Sequence, residues 1–271
     1  MIDVSVIFTV YSRANIELFR KALKSILDQT TPPRFIIIVC DGCSTNPFED
    51  IAKNLLTLNA KCQLKLFSYD ENKGPGFARH YGIQRCTTEY IAIMDSDDIS
   101  LPDRLQLQYN FMEKNPDISV VGGYIKETQN KKTLFIREVP LHHHDILETI
   151  KTKSPINNVT AFMRRTDYLE TGGYPSLRSS EDYCLWVKFI SLEKKLANIQ
   201  QCLVDVEFDD SALGRRSGIT HFKNDLYTQN SLYKSKIINK YEYIGNYIKY
   251  LSFRLMPIPI KKLIYRFLLR K

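Results

Sequence analysis

The sequence predicts an α/β protein with a largely parallel, doubly wound sheet, because short apolar strands alternate with amphipathic helices through its first half. The chain has 271 residues, of which 44% are apolar and 25% are charged, as in ordinary globular proteins. Its longest clear apolar run, residues 35–40, is far shorter than the roughly 20 residues that a membrane-spanning helix needs. A single large domain with an appendage fits this length.

The elements follow in order from hydrophobic periodicity and from helix-start signals. Runs of four to seven mostly apolar residues predict strands at 4–10, 35–40, 64–67, 90–94 and 118–121. Helical spacing of apolar residues predicts helices at 16–29, 48–58, 75–86 and 105–114. The second half is less regular, with strands expected at 134–139 and 159–163 and a helix at 183–196.

The strongest functional signal is an acidic cluster directly after the fourth strand. Asp95-Ser96-Asp97-Asp98 crowds three carboxylates at the carboxyl edge of the sheet, where open α/β folds bind ligands. Such carboxylates repel one another unless a cation or hydrogen-bond donors lie among them. The pattern favours a divalent metal held against a phosphate, although a turn with a capping Asp before the next helix is the alternative.

Four further segments lie where strands end or helices begin. The first strand runs into the polar loop at Thr9–Arg13, and the second ends in Asp41-Gly42, which is also typical of a simple glycine turn. Residues 72–79 put two glycines and a basic side chain at a helix N-terminus, an arrangement that suits a diphosphate. Glu181-Asp182 opens a later helix, where a carboxylate is either a general base or a charge that stabilises the helix.

As an ordered set these motifs resemble the inverting nucleotide-sugar glycosyltransferases of family 2. The resemblance covers about residues 3–190 and is carried by the following segments: Val4–Ser12, Asp41–Ser44, Asn72–Gly74 with Ala78-Arg79, Asp95–Asp98 with Pro102–Arg104, and Gly172–Tyr174 with Glu181-Asp182. It implies a GT-A fold, a Rossmann-like and mostly parallel central sheet flanked by helices, with a donor half at about 1–125 and an acceptor half at about 126–232. It also implies a nucleotide-diphosphate sugar donor and Mn²⁺ or Mg²⁺.

The resemblance gives roles to individual residues. It implies that Asp41 contacts the donor base, Asp95 the ribose side and Asp97 the metal, and that Asp182 is the catalytic base. Side chains expected to bind the nucleotide sugar with them are Thr9, Tyr11, Arg13, Lys73, Arg79, Ser96 and Arg215. Asp98, Glu181 and Arg216 are secondary candidates.

Departures from the family pattern refine the expectation. The usual Asp-Asp-Gly-Ser is here Cys40-Asp41-Gly42-Cys43-Ser44, so the first acid is missing, and Arg79 is followed by His80 rather than the common Asn. The processive Q-x-x-R-W signature is absent, which favours addition of one sugar. We therefore expect an inverting β-glycosyltransferase that moves a hexose, galactose or glucose, from a UDP-sugar.

The charge distribution separates residues 233–271 from the rest of the chain. The net charge is +8, yet residues 1–232 hold 28 basic and 29 acidic residues, whereas the tail holds ten basic residues and one acid. Residues 260–268 form an apolar stripe with basic residues mostly off it, which favours association with an anionic membrane surface over a helix packed on the domain.

The partner and location follow from this tail and from an N-terminus without signal-peptide features. We expect a polyprenyl-diphosphate-linked saccharide acceptor, such as GlcNAc-diphosphate-undecaprenol, in bacterial O-antigen or capsule assembly. The protein would then be cytoplasmic and peripheral on the cytoplasmic face of the inner membrane, with no nucleic-acid partner.

Two alternatives explain less of the sequence. A sugar nucleotidyltransferase has a related sheet but would need a Gly-rich basic loop after the first strand, and residues 10–14 contain no Gly. A nucleic-acid-binding protein would use the basic and aromatic tail but leaves the acidic cluster without a role.

Overall fold

A computed structural model describes residues 1–58, 62–129, 132–207, 218–256 and 260. Within these residues nine strands form one sheet, with helices on both faces. The strands are β1 (Ile2–Tyr11), β2 (Pro33–Asp41), β3 (Gln63–Tyr69), β4 (Tyr90–Met94), β5 (Ile99–Ser100), β6 (Ile118–Gln129), β7 (Lys132–Arg137), β8 (Phe162–Arg164) and β9 (Lys195–Glu207). The helices are α1 (Ile16–Leu27), α2 (Asn46–Leu58), α3 (Pro75–Ile83), α4 (Arg104–Lys114), α5 (His143–Thr149), α6 (Arg165–Glu170), α7 (Glu181–Ser191), α8 (Ile219–Lys234) and α9 (Lys240–Leu255).

The first four strands form the parallel part of the sheet, in the order β3-β2-β1-β4. Their register brings Tyr11 of β1 beside Asp41 of β2, and Phe8 of β1 beside Met94 of β4. The residues that follow these strands therefore meet at one carboxyl edge. The predicted alternation of strands and helices is confirmed through this half.

The rest of the sheet is mixed. Strand β8 is antiparallel to both β4 and β6, and β6 is parallel to β9 through a register with several shifts. Short strand β5 pairs antiparallel with β9, which brings the segment after the acidic cluster against the far part of the sheet. The sequence did not predict β5, β9, α5, α6 or α8. The strand expected at 159–163 is partly wrong, because Asn158–Thr160 forms a 3₁₀ turn before β8.

The central strands are buried on both faces, as parallel strands between two helical layers must be. Along β1, Val6 and Phe8 pack with α1 and α2, whereas Ile7 between them packs with α3 and α7. Helix α1 is capped by Asn15, whose side chain accepts hydrogen bonds from the backbone N–H groups of Glu17 and Leu18. Helix α3 begins with Pro75 after Gly74, which has φ +90°.

Helix α8 packs against α7, and α9 is tied to α8 and to the loop after α5 by polar contacts. The Asn246 side chain donates to the Lys151 carbonyl (2.6 Å) and to Gln229 Oε1 (2.9 Å), and the Tyr250 hydroxyl donates to the Thr152 carbonyl (3.0 Å). Most of the predicted apolar stripe of the tail lies outside the described residues. No helix in the described ranges is long and apolar enough to span a bilayer.

Candidate active site

A cleft of about 300 Å³ opens at the carboxyl edge of β1, β2 and β4. Parallel strands direct polar side chains to this edge, so residues distant in sequence converge there. Its walls come from Thr9, Val10, Tyr11, Asp41, Asn72, Gly74, Pro75, Arg79, Asp95, Ser96, Asp97 and Arg178. Seven of these are residues that the sequence assigned to donor or metal binding, and the structure brings all seven together.

Asp41 is buried and joins the end of β2 to the loop before α3. Its Oδ1 accepts the backbone N–H of Lys73 (2.7 Å) and its Oδ2 accepts that of Gly74 (2.9 Å). The Asn72 side chain also donates to the Asp41 carbonyl (3.3 Å). The carboxylate therefore shapes the loop that lines the cleft, in addition to the base contact that the resemblance implies.

Arg79 links two acidic segments from the first turns of α3. Its guanidinium is buried and donates through Nη2 to Asp95 Oδ1 and through Nη1 to Glu181 Oε1, each at 2.8 Å. Its Cζ lies 5.7 Å from the centre of the Tyr174 ring, within cation–π distance. Burial raises the pKa of Glu181, while the charge of Arg79 opposes that rise. The pair fixes the start of α7 against the acidic cluster.

Asp98 does not line the cleft with Asp95 and Asp97. It is buried, and its carboxylate accepts a hydrogen bond from the backbone of Glu207. Burial, followed by the charges of Asp95 and Asp97, holds its pKa well above the ordinary value. As a secondary metal candidate it is therefore less accessible than Asp97, which is exposed.

A fully buried arginine, Arg104, lies near the acidic cluster. Arg104, from the first turn of α4, donates to the Ile93 carbonyl (2.8 Å) and to Gln108 Oε1 (3.0 Å). Burial lowers its pKa to about 9, and the charges of Asp95 and Asp98 act in the opposite direction. The cluster therefore has two buried cations beside it, Arg79 and Arg104.

Asp182 occupies the first turn of α7 next to Glu181, and its side chain is half-buried. It does not line the cleft itself. Because Glu181 is buried and paired with Arg79, Asp182 is the more accessible of the two carboxylates. Glu181 therefore anchors the start of α7, and Asp182 keeps the more exposed carboxylate.

Two predicted donor-binding residues, Arg13 and Lys73, are not in the cleft wall, and one residue there, Arg178, was missed. Arg13 is exposed. The Lys73 ammonium lies 4.9 Å from the Phe77 ring centre, and the Lys73 backbone N–H donates to Asp41. Arg215 lies outside the described residues, as does the secondary candidate Arg216. Arg178 was not predicted; its guanidinium donates to the Asn72 carbonyl (3.3 Å). The only sequence signal for Arg178 was its position three residues before Glu181, which the family resemblance had already marked as part of the site.

Comparison with known proteins decides the family. The family model described as Glycosyl transferase family 2 matches residues 5–173, which is more than half of the chain. The chain belongs to glycosyltransferase family 2. The match ends just before the segment that carries Glu181 and Asp182.

Relatives of this glycosyltransferase match nearly its whole length. An Escherichia coli protein named UDP-Gal:alpha-D-GlcNAc-diphosphoundecaprenol beta-1,3-galactosyltransferase is 28% identical over 98% of this chain and 96% of its own. The amylovoran biosynthesis glycosyltransferase AmsE of Erwinia amylovora is 28% identical over 96% and 97% of the two chains.

Solved structures confirm the predicted GT-A architecture. TarS residues 1–349 from S. aureus, in complex with UDP-GlcNAc, superposes with a TM-score of 0.67 at 18% identity, covering 98% of this chain and 73% of that one. The mannosyltransferase PcManGT from Pyrobaculum calidifontis, in complex with GDP-Man and Mn²⁺, gives a TM-score of 0.64 at 15% identity, covering 96% and 71%. At these identities the likeness shows the fold alone.

The carboxylates in the glycosyltransferase cleft fit a divalent cation of the Mg²⁺ or Mn²⁺ type. Among the described residues no cluster of three or more His, Cys, Asp or Glu side chains has the geometry of a metal cage. Asp95 and Asp97 instead line an open cleft, and Oδ1 of Asp95 accepts a hydrogen bond from Arg79. Magnesium is commonly held by one or two carboxylates together with substrate phosphates, so this smaller donor set is appropriate.

Proposed function

We propose that this family 2 enzyme is an inverting, metal-dependent β-hexosyltransferase. It moves one galactose or glucose from a UDP-sugar to a lipid-diphosphate-linked saccharide, such as GlcNAc-diphosphate-undecaprenol, in bacterial surface polysaccharide synthesis. The observation that carries the proposal is the cleft in which Asp41, Arg79, Asp95 and Asp97 converge. The name of the Escherichia coli relative supports the donor and the acceptor class, and that of the Erwinia amylovora relative supports the process.

The residues of the cleft divide the work of donor binding. Asp41 and the backbone at Lys73 and Gly74 form the nucleotide end, and Asp95 with Ser96 forms the ribose side. Arg178 and Arg79 supply positive charge beside the diphosphate. When bound at Asp97, a divalent cation would stabilise the charge of the departing diphosphate as a Lewis acid.

Inversion requires a base on the face of the sugar opposite the leaving group. Asp182 accepts the proton of the acceptor hydroxyl as that oxygen attacks the anomeric carbon and the bond to UDP breaks. A single in-line displacement converts an α-linked donor into a β-linked product. Base assistance of this kind typically contributes about 10²–10⁴-fold to the rate.

The first experiment measures hydrolysis of UDP-, GDP- and dTDP-sugars with and without Mn²⁺. We expect slow, metal-dependent release from UDP-galactose or UDP-glucose. Asp97→Asn should lower metal-dependent activity, whereas Asp103→Asn, an exposed residue in the neighbouring loop, should not. Absence of hydrolysis and of metal-dependent nucleotide binding would contradict the proposal.

The base assignment is tested by transfer to a GlcNAc-diphosphate-lipid acceptor. Asp182→Asn should lower kcat about 10²–10⁴-fold with donor affinity nearly unchanged, because the carboxylate acts on the acceptor. Asp145→Asn, on the surface of α5, is the matched control. Near-normal turnover of Asp182→Asn would refute Asp182 as the base.

We further propose that the basic tail binds the anionic membrane surface, so the enzyme is peripheral on the cytoplasmic face of the inner membrane. The described part of the tail supports this, because Tyr241, Ile244 and Ile248 of α9 are exposed beside several lysines. Sedimentation with phosphatidylglycerol vesicles compares the full chain with a truncation after Met256, which keeps α9. Equal binding would remove residues 257–271 as the anchor, and salt-sensitive binding of oligonucleotides instead would favour a nucleic-acid partner.

A further inference from the structure

Ser180, two residues before the proposed base Asp182, has an unusual backbone conformation. Its φ of 61° and ψ of 15° lie in the left-handed region, which is strained for a residue other than glycine. Helix N-caps normally have extended backbone angles. The other described non-glycine residues with positive φ, Glu193 and Lys236, follow the ends of α7 and α8, where left-handed caps are common.

The side chain of Ser180 does not cap its own helix but is held by α8. Its Oγ donates to Asp225 Oδ1 at 2.8 Å, and Asp225 is 3% exposed. The adjacent Ser179 Oγ accepts a hydrogen bond of 2.8 Å from the Asn224 side chain. Two successive residues of α8 therefore grip the two residues that precede Glu181 and Asp182.

Asp225 is held in turn by the end of α9. Arg254 donates through Nε to Asp225 Oδ2 at 2.6 Å and through Nη2 to Oδ1 at 3.1 Å, a bidentate pair that leaves the carboxylate little freedom to rotate. The Arg254 carbonyl also accepts the backbone N–H of Gly218 at 3.2 Å, which closes α9 onto the start of α8. The contacts run without a break from α9 to the turn before α7.

We propose that Arg254, Asp225 and Ser180 form a positioning chain that holds Ser180 in its left-handed conformation and so directs Asp182 toward the acceptor hydroxyl. The inference rests on the proposed function, in which Asp182 is the base. The hydrogen bonds offset the backbone strain at Ser180. The left-handed conformation of Ser180 makes the backbone turn sharply where α7 begins. Helices α8 and α9 are then part of the catalytic unit, because they fix the orientation of its base.

The test compares Ser180→Ala, Ser180→Gly and Asp225→Asn in donor binding and in sugar transfer. Ser180→Ala keeps the strain but removes the hydroxyl, so kcat should fall about 10–100-fold, the loss expected for a displaced catalytic group. UDP-sugar affinity should change less than about twofold, because the Asp41 and Arg79 contacts are untouched. Ser180→Gly should retain more turnover than Ser180→Ala, since glycine adopts this conformation without strain.

The coupling within the chain is tested by a double-variant comparison. Asp225→Asn should lower kcat strongly in the wild-type background but much less in the Ser180→Gly background, where no strained residue needs anchoring. Arg254→Lys, which loses the bidentate geometry, should reproduce part of the Asp225→Asn loss. Ser176→Ala, exposed in the same loop, is the matched control.

The outcomes separate this inference from the proposed function. If Asp182→Asn abolishes transfer while Ser180→Ala and Asp225→Asn keep normal kcat, the positioning chain is refuted and the base assignment stands. A loss of unfolding free energy in parallel with donor affinity, without a selective fall in kcat, would also refute it by indicating a purely structural role. If Asp182→Asn keeps normal turnover, the base assignment itself fails, and the positioning chain is refuted with it because it would not orient a catalytic base.

Discussion

Arg79 and Glu181, 102 residues apart in the chain, are joined by a buried hydrogen bond of 2.8 Å between Nη1 and Oε1. The side chains are 8% and 10% exposed. The same guanidinium binds Asp95, so one cation connects the acidic cluster of the cleft to the start of α7, the helix that carries the proposed base. The proposed donor and acceptor sites therefore share a single buried cation.

Removing this support should destabilise the fold as well as the site. Arg79→Met leaves Glu181 buried without its cation, and we expect the free energy of unfolding to fall by about 3–5 kcal/mol. Glu181→Gln should cost less, because the amide oxygen still accepts a hydrogen bond and no buried carboxylate remains. Urea unfolding followed by circular dichroism measures both.

The control for this prediction is Arg20→Met on α1. Arg20 is exposed and lies 3.7 Å from Glu17, so its loss should change the free energy of unfolding by less than about 1 kcal/mol. Equal effects of Arg79→Met and Arg20→Met would contradict the structural importance of the buried pair.

Asp41→Asn should weaken donor binding through the loop it holds. Its two carboxylate oxygens accept the N–H groups of Lys73 and Gly74, and an amide would bring an NH₂ group against one of these donors. Losing such a bond, and leaving the NH₂ group opposite a backbone N–H, costs about 1–3 kcal/mol, so Kd for the UDP-sugar should rise about 5–150-fold. Calorimetric titration with UDP measures the change; Asp70→Asn, exposed at the end of the same strand pair, should leave Kd unaltered.

The donor half could be predicted from sequence because its signals are local. Buried parallel strands appear as continuous apolar runs such as residues 35–40, and acids placed directly after a strand must lie at its carboxyl edge. Asp41, Asp95 and Asp97 were predicted in this way, and Arg79 was predicted from the glycines at the start of α3; the family resemblance then assigned their roles.

The other half depends on contacts that leave no local pattern. Strand β9 contains Asn198, Gln200 and Gln201 within its length, and pairs with β6 through shifted register, so neither alternation nor an apolar run marks it. The roles of Ser180 and Asp225 arise from a backbone angle and a contact between residues 45 apart. The helix expected at 183–196 ends at Ser191, where Leu192 caps it and Glu193 adopts positive φ before β9.

Two adjacent glycines before α7 should respond very differently to substitution. Gly172 and Gly173 have φ of +71° and +73°, so alanine is strained by about 1–2 kcal/mol at either position. A Cβ at Gly172 meets nothing within 4 Å, whereas at Gly173 it would overlap the His80 ring and the Tyr168 hydroxyl. Gly173→Ala should therefore lower the free energy of unfolding by several kcal/mol more than Gly172→Ala. Similar losses would show that this turn is loosely packed.

His80 should make the fold sensitive to mild acid. Burial, and then the charge of Lys188, lowers the pKa of His80 below its ordinary value, and its Nδ1 lies 2.9 Å from the Tyr168 hydroxyl. Because the folded-state pKa is below the unfolded one, the stabilising contribution is complete above about pH 6.5 and is lost as pH falls through the folded value. His80→Asn removes this titration, so its free energy of unfolding should fall less between pH 7.5 and pH 5 than that of the wild type. His144→Asn, whose side chain is 88% exposed, should keep the wild-type pH dependence; the same slope in all three proteins would exclude His80 as the titrating group.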